Sequence, residues 1–242
     1  MIDMPHLPQL PQGLRVYAIG DIHGRVDLLD QLNEKIQADL AVADCERVIT
    51  IFLGDYVDRG PNSAEVIERL ATGQFPGEIL PLRGNHEAVF LDFLSNPEVF
   101  GSWRRFGGLA TLSSYGVDVS DAMRGRGFED ARLSLLENLP KHHKAFLEST
   151  KKSATIGDFF FCHAGVRLGV ALDLQSEKDL LWIRDDFLDQ EAPFEKFIIH
   201  GHTPVIVPEA LPNRINIDTG AYLSDKLTAV VIEGDASRFL QT

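Results

Sequence analysis

Short apolar runs alternate with helix-like stretches over the first hundred residues. The runs 15–19, 48–53 and 79–82 have the length and the β-branched, apolar composition of buried strands. After each run, apolar residues recur at the spacing of one helix face, beginning near Val26, Ser63 and Ala88. The pattern predicts three successive strand–turn–helix units, and right-handed crossovers would place their three turns at one edge of a sheet.

The rest of the chain predicts a second sheet. Residues 96–155 are mainly helical in pattern, whereas 159–162, 197–199, 215–218 and 227–232 have strand character, with no obvious helix between the last two. We therefore predict an α/β fold, an αββα sandwich, in a single domain over residues 1–242. No linker marks a domain boundary, so the helical segment 96–155 is interpreted as a cap or insertion.

The composition restricts the expected binding partners and the expected cellular location. The net charge is −13 and the pI about 5.0, which argues against long nucleic acid as a partner, because phosphate backbones are bound through Lys and Arg. The N-terminus has neither the basic nor the apolar region of a signal peptide, and no apolar run approaches the length of a membrane span. The two cysteines, Cys45 and Cys162, do not suggest a disulfide framework. A cytoplasmic protein without a membrane partner is expected.

Potential metal ligands occur in five turns. The turns read GDIHG (20–24), GDYVDRG (54–60), RGNHE (83–87), HAG (163–165) and HGHT (200–203). They contribute carboxylate, amide and imidazole groups from Asp21, His23, Asp55, Asn85, His86, His163 and His202. Such ligands suit manganese, iron or zinc better than calcium. Six of them could surround two ions if one carboxylate bridges, and two ions about 3.5–4 Å apart can hold a phosphoryl oxygen and the attacking hydroxide.

These five motifs, in this order, resemble the signature of the phosphoprotein phosphatase (PPP) family within the calcineurin-like metallophosphoesterases. The resemblance spans residues 16–220, and the chain is similar in length to the compact bacterial and phage members. It implies a pair of divalent ions, manganese by preference with iron or zinc as alternatives. The implied ligands are Asp21 and His23 for the first ion, Asp55 as the bridge, and Asn85, His163 and His202 for the second.

The resemblance also implies roles for residues that do not bind metal. His86 would protonate the leaving oxygen, with Asp58 orienting its ring. Arg59, Arg83 and Arg184 would bind the phosphate, although Arg184 lies in a looser motif and could instead pair with a neighbouring aspartate.

Other polar and aromatic residues are assigned supporting roles. Glu87, His200 and Asp218 are expected to orient a turn or a ligand rather than to react. Trp103 and Phe106 are expected to pack, and His142 and His143 to be solvated.

The sequence favours a metal-dependent serine/threonine protein phosphatase, a phosphoric monoester hydrolase acting by attack of a metal-bound hydroxide. The alternative is a dinucleoside polyphosphate hydrolase acting, for example, on diadenosine tetraphosphate. GDYVDRG and GNHE favour the phosphatase over the symmetrical dinucleoside-tetraphosphate hydrolases, whose third motif typically reads GNHD, a weak distinction. The expected partner is a phosphoprotein or a small phosphorylated substrate. A calcineurin-like nuclease is disfavoured by the acidic charge, and an inactive scaffold by the intact motifs.

Overall fold

Two five-stranded sheets pack face to face in the computed structural model, which describes residues 7–242. The first six residues of the predicted domain lie outside the described residues, and its extent over 1–242 stays a prediction. The strands, in chain order, are β1 (Leu14–Ile19), β2 (Arg47–Phe52), β3 (Glu78–Pro81), β4 (Ser153–Ile156), β5 (Phe159–Cys162), β6 (Phe197–His200), β7 (Glu209–Ala210), β8 (Arg214–Asn216), β9 (Thr228–Glu233) and β10 (Ala236–Gln241).

The helices cover the outer faces of the two sheets. In chain order they are α1 (Val26–Leu40), α2 (Ser63–Ala71), α3 (Asn85–Phe93), α4 (Phe100–Trp103), α5 (Gly108–Ser114), α6 (Ser120–Met123), α7 (Phe128–Asn138), α8 (Lys141–Ser149), α9 (Glu177–Trp182), α10 (Asp185–Leu188) and α11 (Ala221–Ser224). One-turn 3₁₀ helices occupy Pro97–Val99, Arg104–Phe106 and Leu172–Leu174. The predicted αββα sandwich is confirmed.

The strand order explains why the motif turns meet. In the first sheet the order is β10-β9-β1-β2-β3, with β1, β2 and β3 parallel. In the second sheet the order is β4-β5-β6-β8-β7, with β5, β6 and β8 parallel. Parallel neighbours end at the same edge, so the turns after β1, β2 and β3 lie side by side, as do those after β5 and β6.

Strand β1 is buried on both faces. Val16 and Ala18 belong to the core between the sheets, whereas Tyr17 and Ile19 belong to the core beneath the helices. Successive strand residues point to opposite faces, so a strand covered on both sides must be apolar throughout. Strand β5 follows the same rule with four consecutive buried residues, including the predicted buried Cys162.

The sequence missed several short elements. The helical segment ends with α8 at Ser149, and residues 153–155, expected to be helical, belong to β4. Strand β10 completes the edge of the first sheet, and the short α11 lies between β8 and β9, where no helix was expected. Among the described residues, no helix has both the length and the apolar content needed to cross a membrane.

The two adjacent histidines of α8 differ in exposure. The side chain of His142 is 55% exposed, as expected, but that of His143 is only 4% exposed, so the prediction for His143 was wrong. The His143 ring contacts Tyr115, which follows α5, and Glu68, which lies on α2. Packing between helices, which a local polar pattern does not reveal, buries this ring.

Candidate metal centre

Asp55 lies at the point where the motif turns of the two sheets meet. On one side, ligand atoms of Asp55, His23 and His86 lie within 4.8 Å of one another, and on the other side those of Asp55, His163 and His202 do so. Asp55 belongs to both groups, so one carboxylate lies between two sets of imidazoles. This is the arrangement that a bridging carboxylate requires.

Backbone carbonyls orient two of the imidazoles. The Nδ1–H of His23 donates to Val57 O at 2.8 Å, and that of His163 donates to Leu53 O at 3.0 Å. Each ring therefore directs Nε2 towards Asp55, at 3.5 Å from Oδ2 for His23 and 3.4 Å from Oδ1 for His163. A hydrogen bond on one ring nitrogen fixes the tautomer and leaves the other nitrogen free as a ligand.

The remaining predicted ligands lie against these groups. His163 Nε2 is 2.9 Å from Asn85 Oδ1 and 3.1 Å from His202 Nδ1. Asp21 accepts the backbone N–H of His202, with 3.2 Å between N and Oδ2. The structure thus brings all six predicted ligands together from four strand ends and the start of α3.

The turns that carry these side chains are conformationally strained. Six non-glycine residues among those described have positive φ, and five of them are His23, Asp55, Asp58, Arg59 and His202. Such conformations are uncommon outside glycine and cost free energy, which the surrounding structure must supply. Their concentration here indicates that side-chain placement has been favoured over local backbone stability.

Glu87 holds the Asp55 turn in place. Its carboxylate accepts the backbone N–H groups of Gly84, Asp55, Tyr56 and Val57 at 2.8 to 3.2 Å. A Cβ on Gly84 would lie 2.1 Å from Asp55 Oδ1, so only glycine allows this approach. The expectation that Glu87 fixes a neighbouring turn is confirmed.

Negative charge is concentrated in this buried region. Burial raises the pKa of Asp21 well above its usual range, with Asp218 and Asp55 adding to the effect. Burial also raises the pKa of Asp218 to about 6 and that of Glu87 to about 7. Burial acts in the same direction on Asp55, but His163, His86 and His23 outweigh it and lower its pKa. Carboxylates this close together require protons or cations.

The imidazoles are suited to be ligands because they are neutral. Burial lowers the pKa of His23 to about 3 and that of His202 to about 2, and it lowers the pKa of His163 as well. A neutral ring keeps the lone pair that a metal ion needs. Neutral imidazoles around crowded carboxylates fit two divalent cations, and this donor set supports a dinuclear centre.

His86 differs from the other imidazoles in its protonation. Its Nδ1–H donates to Asp58 Oδ2 at 2.6 Å, and its Nε2 lies 3.7 Å from Asp55 Oδ2. Burial lowers the pKa of His86, but Asp55 and the hydrogen bond to Asp58 outweigh this and raise it to about 9. A ring protonated at neutral pH beside the centre has the properties of a proton donor.

A family model described as calcineurin-like phosphoesterase matches residues 14–232.

The chain belongs to the calcineurin-like phosphoesterase family.

The chain is also similar to two Bacillus proteins in sequence and to a solved structure in fold. The chain is 27% identical over 228 residues to bis(5'-nucleosyl)-tetraphosphatase PrpE [asymmetrical] of Bacillus subtilis strain 168, with 87% of each chain covered. It is 29% identical over 234 residues to the protein of the same name from Bacillus cereus strain B4264, with 88% of each covered. It superposes on the crystal structure of a protein provisionally named a diadenosine tetraphosphatase with a TM-score of 0.63 and 17% identity, covering 98% of this chain and 96% of that one.

This calcineurin-like phosphoesterase surrounds Asp58 with hydrogen-bond donors that the sequence did not reveal. Trp103, 1% exposed, donates from Nε1 to Asp58 Oδ2 at 2.7 Å, and Thr111 donates from Oγ1 to Asp58 Oδ1. Trp103 therefore packs, as predicted, but it also orients the carboxylate that contacts His86. The Trp103 indole N–H was the available signal, since a buried Trp usually finds an acceptor. Phe106, predicted to pack, is 57% exposed, and that prediction was wrong.

Replacing Trp103 with phenylalanine tests its effect on Asp58. The variant keeps an aromatic ring against Phe93 and Phe100 but removes the N–H donor. One charge-assisted hydrogen bond contributes about 1.5 kcal/mol, so kcat for an alkyl phosphate should fall about 10-fold. Because Trp103 acts through Asp58 and His86, kcat for an aryl phosphate with a good leaving group should change much less. The control, Phe100→Leu, should reduce stability, and any loss of rate should be equal for the two esters. An equal loss in Trp103→Phe would show that Trp103 only packs.

The three predicted phosphate-binding arginines have different surroundings in this calcineurin-like phosphoesterase. Arg59 donates to the Tyr222 hydroxyl, and its guanidinium lies 4.4 Å from the centroid of the Tyr222 ring, which in turn lies 5.2 Å from that of His23. Arg184 donates to Thr203 Oγ1 at 3.1 Å, beside the His202 turn. This contact replaces the alternative pairing with a neighbouring aspartate.

Arg83 makes its hydrogen bonds at the end of α8. Its guanidinium donates to Thr150 Oγ1 at 2.9 Å and to the carbonyls of Leu147 and Glu148 at 3.2 and 3.1 Å. These groups lie at the carboxyl end of α8, where a cation stabilises the helix. Substrate binding by Arg83 stays a prediction.

His200 and Asp218 lie close to the ligands without joining them. His200 is fully buried against Phe187, with 4.9 Å between ring centroids, and its Nδ1–H donates to Gly201 O at 3.1 Å. Asp218 accepts the backbone N–H of Gly220 at 2.9 Å. Both contacts are with turns at the site, which agrees with the supporting roles expected for them.

Proposed function

We propose that this metallophosphoesterase hydrolyses dinucleoside polyphosphates, and that it cleaves dinucleoside tetraphosphates asymmetrically into a nucleoside monophosphate and a nucleoside triphosphate. The observation that carries the proposal is the partly exposed ring of Trp182, which lies beside the candidate metal centre. The names of the Bacillus relatives support the same substrate class.

Trp182 is a suitable platform for a nucleobase. Its side chain is 45% exposed, and its ring centroid lies 6.4 Å from that of the predicted ligand His202. An indole left open to solvent gains favourable contact area when a flat base stacks on it, and such stacking is sequence-tolerant. A phosphoserine or phosphothreonine side chain presents no comparable flat group next to its phosphate.

Arg59 and Tyr222 are the proposed polyphosphate contacts. The Tyr222 ring holds the Arg59 guanidinium beside His23, so this group is positioned before the substrate binds. A planar guanidinium can bind two oxygens of one phosphate. Arg184, beside the His202 turn, is proposed to contact a phosphate on the opposite side of the centre.

Proton transfer is assigned to His86. Asp21, His23, Asp55, Asn85, His163 and His202 would hold two divalent ions. Ions bound there would supply Lewis-acid stabilisation of charge on the phosphoryl oxygens. Asp58, held by Trp103 and Thr111, keeps His86 Nδ1 protonated and leaves Nε2 facing the centre, where it can donate a proton to the leaving oxygen.

The competing substrate class is the phosphoprotein, which the sequence alone favoured. One of the two motifs that favoured it is GNHE, and the glutamate of that motif, Glu87, accepts four backbone N–H groups and so has a structural role. That role does not depend on which phosphate ester is bound. The GNHE glutamate therefore carries little information about the substrate.

The test compares kcat/KM for diadenosine tetraphosphate with that for a phosphothreonine peptide, using enzyme loaded with manganese. We expect preference for the dinucleotide, with AMP and ATP as products. Formation of two ADP would contradict asymmetric cleavage, and preference for the peptide would overturn the proposed substrate class.

Replacing Trp182 with alanine tests the stacking platform directly. Base stacking on an aromatic side chain is worth about 1–3 kcal/mol, so kcat/KM for diadenosine tetraphosphate should fall about 5- to 150-fold. Hydrolysis of p-nitrophenyl phosphate, which has no nucleobase, should fall much less. Leu174→Ala, at another exposed apolar residue, serves as the control. Equal losses for the two substrates would contradict stacking on Trp182.

A further inference from the structure

A second group of metal-ligating side chains lies at the contact between α2 and α8. The Nε2 atoms of His142 and His143 each lie 2.7 Å from the same oxygen of Glu68, Oε2. The two imidazole rings are nearly perpendicular, with 4.5 Å between their centroids. Ligand atoms of all three residues lie within 4.8 Å of one another, and none of the three belongs to the centre around Asp55.

We propose that Glu68, His142 and His143 form a separate binding site for one divalent transition metal ion, with zinc as the best match. Two imidazoles and one carboxylate, with a further position open to solvent, are a frequent zinc ligand set. The absence of thiolates and the single carboxylate disfavour copper(I) and calcium.

The surroundings of His143 support this assignment. Its other ring nitrogen, Nδ1, lies 3.0 Å from the Tyr115 hydroxyl. A hydroxyl can donate to Nδ1, which leaves Nε2–H directed at Glu68, or accept from Nδ1–H, which leaves an Nε2 lone pair for a metal ion. Tyr115 can therefore stabilise the ring in both states, as the outer partner of a metal-bound imidazole does.

Solvent can reach the site. The side chain of His143 is 4% exposed and anchored, whereas His142 and Glu68 are 55% and 43% exposed. An ion can enter from the exposed side, and little rearrangement is needed because the three ligand atoms already converge.

Metal binding would link the cap to the catalytic framework. Glu68 lies on α2, which begins at Ser63, and the Ser63 hydroxyl accepts the backbone N–H of Asp58 at 3.0 Å. The histidines lie on α8, the last helix before β4. An ion held by both helices would resist their separation.

Protein stripped of metal is dialysed to equilibrium at pH 7.5 against a buffer that holds free zinc at about 1 µM. The zinc bound per chain is then measured. Wild type should hold one more equivalent than His142→Ala and Glu68→Gln. The matched control Glu65→Gln removes an exposed carboxylate from the same helix and should match wild type. Equal zinc content in wild type and His142→Ala would overturn the proposal.

Thermal unfolding provides a readout that does not involve activity. Ligands that bind only the folded state raise the melting temperature, so added zinc should raise the Tm of wild type by several degrees more than that of His142→Ala. An equal rise in the two proteins would contradict the site. His142 is exposed and outside the centre around Asp55, so His142→Ala should keep the hydrolytic activity of the manganese-loaded enzyme.

Discussion

Replacing Asp55 with asparagine should lower kcat by at least about 1,000-fold and leave fewer than two bound divalent ions. Asp55 belongs to both groups of potential ligands, so loss of its charge weakens both metal positions at once. Lewis-acid stabilisation by bound ions contributes several kcal/mol, and about 4 kcal/mol corresponds to this loss of rate.

Asparagine is chosen because it preserves the local structure. Its side-chain oxygen can still accept the backbone N–H of His86, which lies 3.1 Å from Asp55 Oδ1. The residue has φ of 54°, a conformation that asparagine tolerates better than alanine. Elemental analysis after loading with manganese would measure the bound ions, and steady-state kinetics the rate.

Asp225→Asn is the matched control for this substitution. Asp225 is another aspartate with positive φ, at 57°, but it is exposed and pairs with Arg25. This variant should retain two ions and normal kcat. Two tightly bound ions in Asp55→Asn would contradict the bridging role of Asp55.

Replacing His86 with asparagine should lower kcat for an alkyl phosphate about 100- to 10,000-fold, the usual contribution of a general acid. The alkoxide leaving group needs a proton, and the His86 ring, held by Asp58 at 2.6 Å, is the proposed donor. An aryl phosphate with a good leaving group needs little protonation, so its rate should fall far less. Diadenosine tetraphosphate, whose leaving group is itself a phosphate, should resemble the aryl ester.

The measurement is kcat for the two esters on one preparation with its metal content known. His142→Asn replaces an exposed histidine outside the centre and should change neither rate. If His86→Asn lost the same factor for both esters, His86 would act on metal binding or structure and not as the acid.

The α/β architecture was predictable because each early strand is a continuous apolar run followed by a helix-spaced segment. Residues 16–19 and 48–53 are mostly apolar because β1 and β2 are covered on both faces, and local composition reflects this requirement. The gathering of the predicted ligands at one edge was also predictable, because each follows a strand that ends at the same edge as its parallel neighbour. Strand β10 was missed because it is a partly exposed edge strand with a mixed pattern.

What the sequence by itself determined is therefore the sandwich and the set of residues gathered at its edge. Only the tertiary structure decided what those residues touch. In the folded chain Trp103 is buried and donates to Asp58, and Arg83 donates to a carbonyl at the end of α8. Trp182 lies exposed beside His202, and His143 of α8 contacts Glu68 of α2. Each of these contacts joins residues distant in the chain or depends on packing around them. Local periodicity records which face of an element is buried, but it does not record which side chain from another element lies against it.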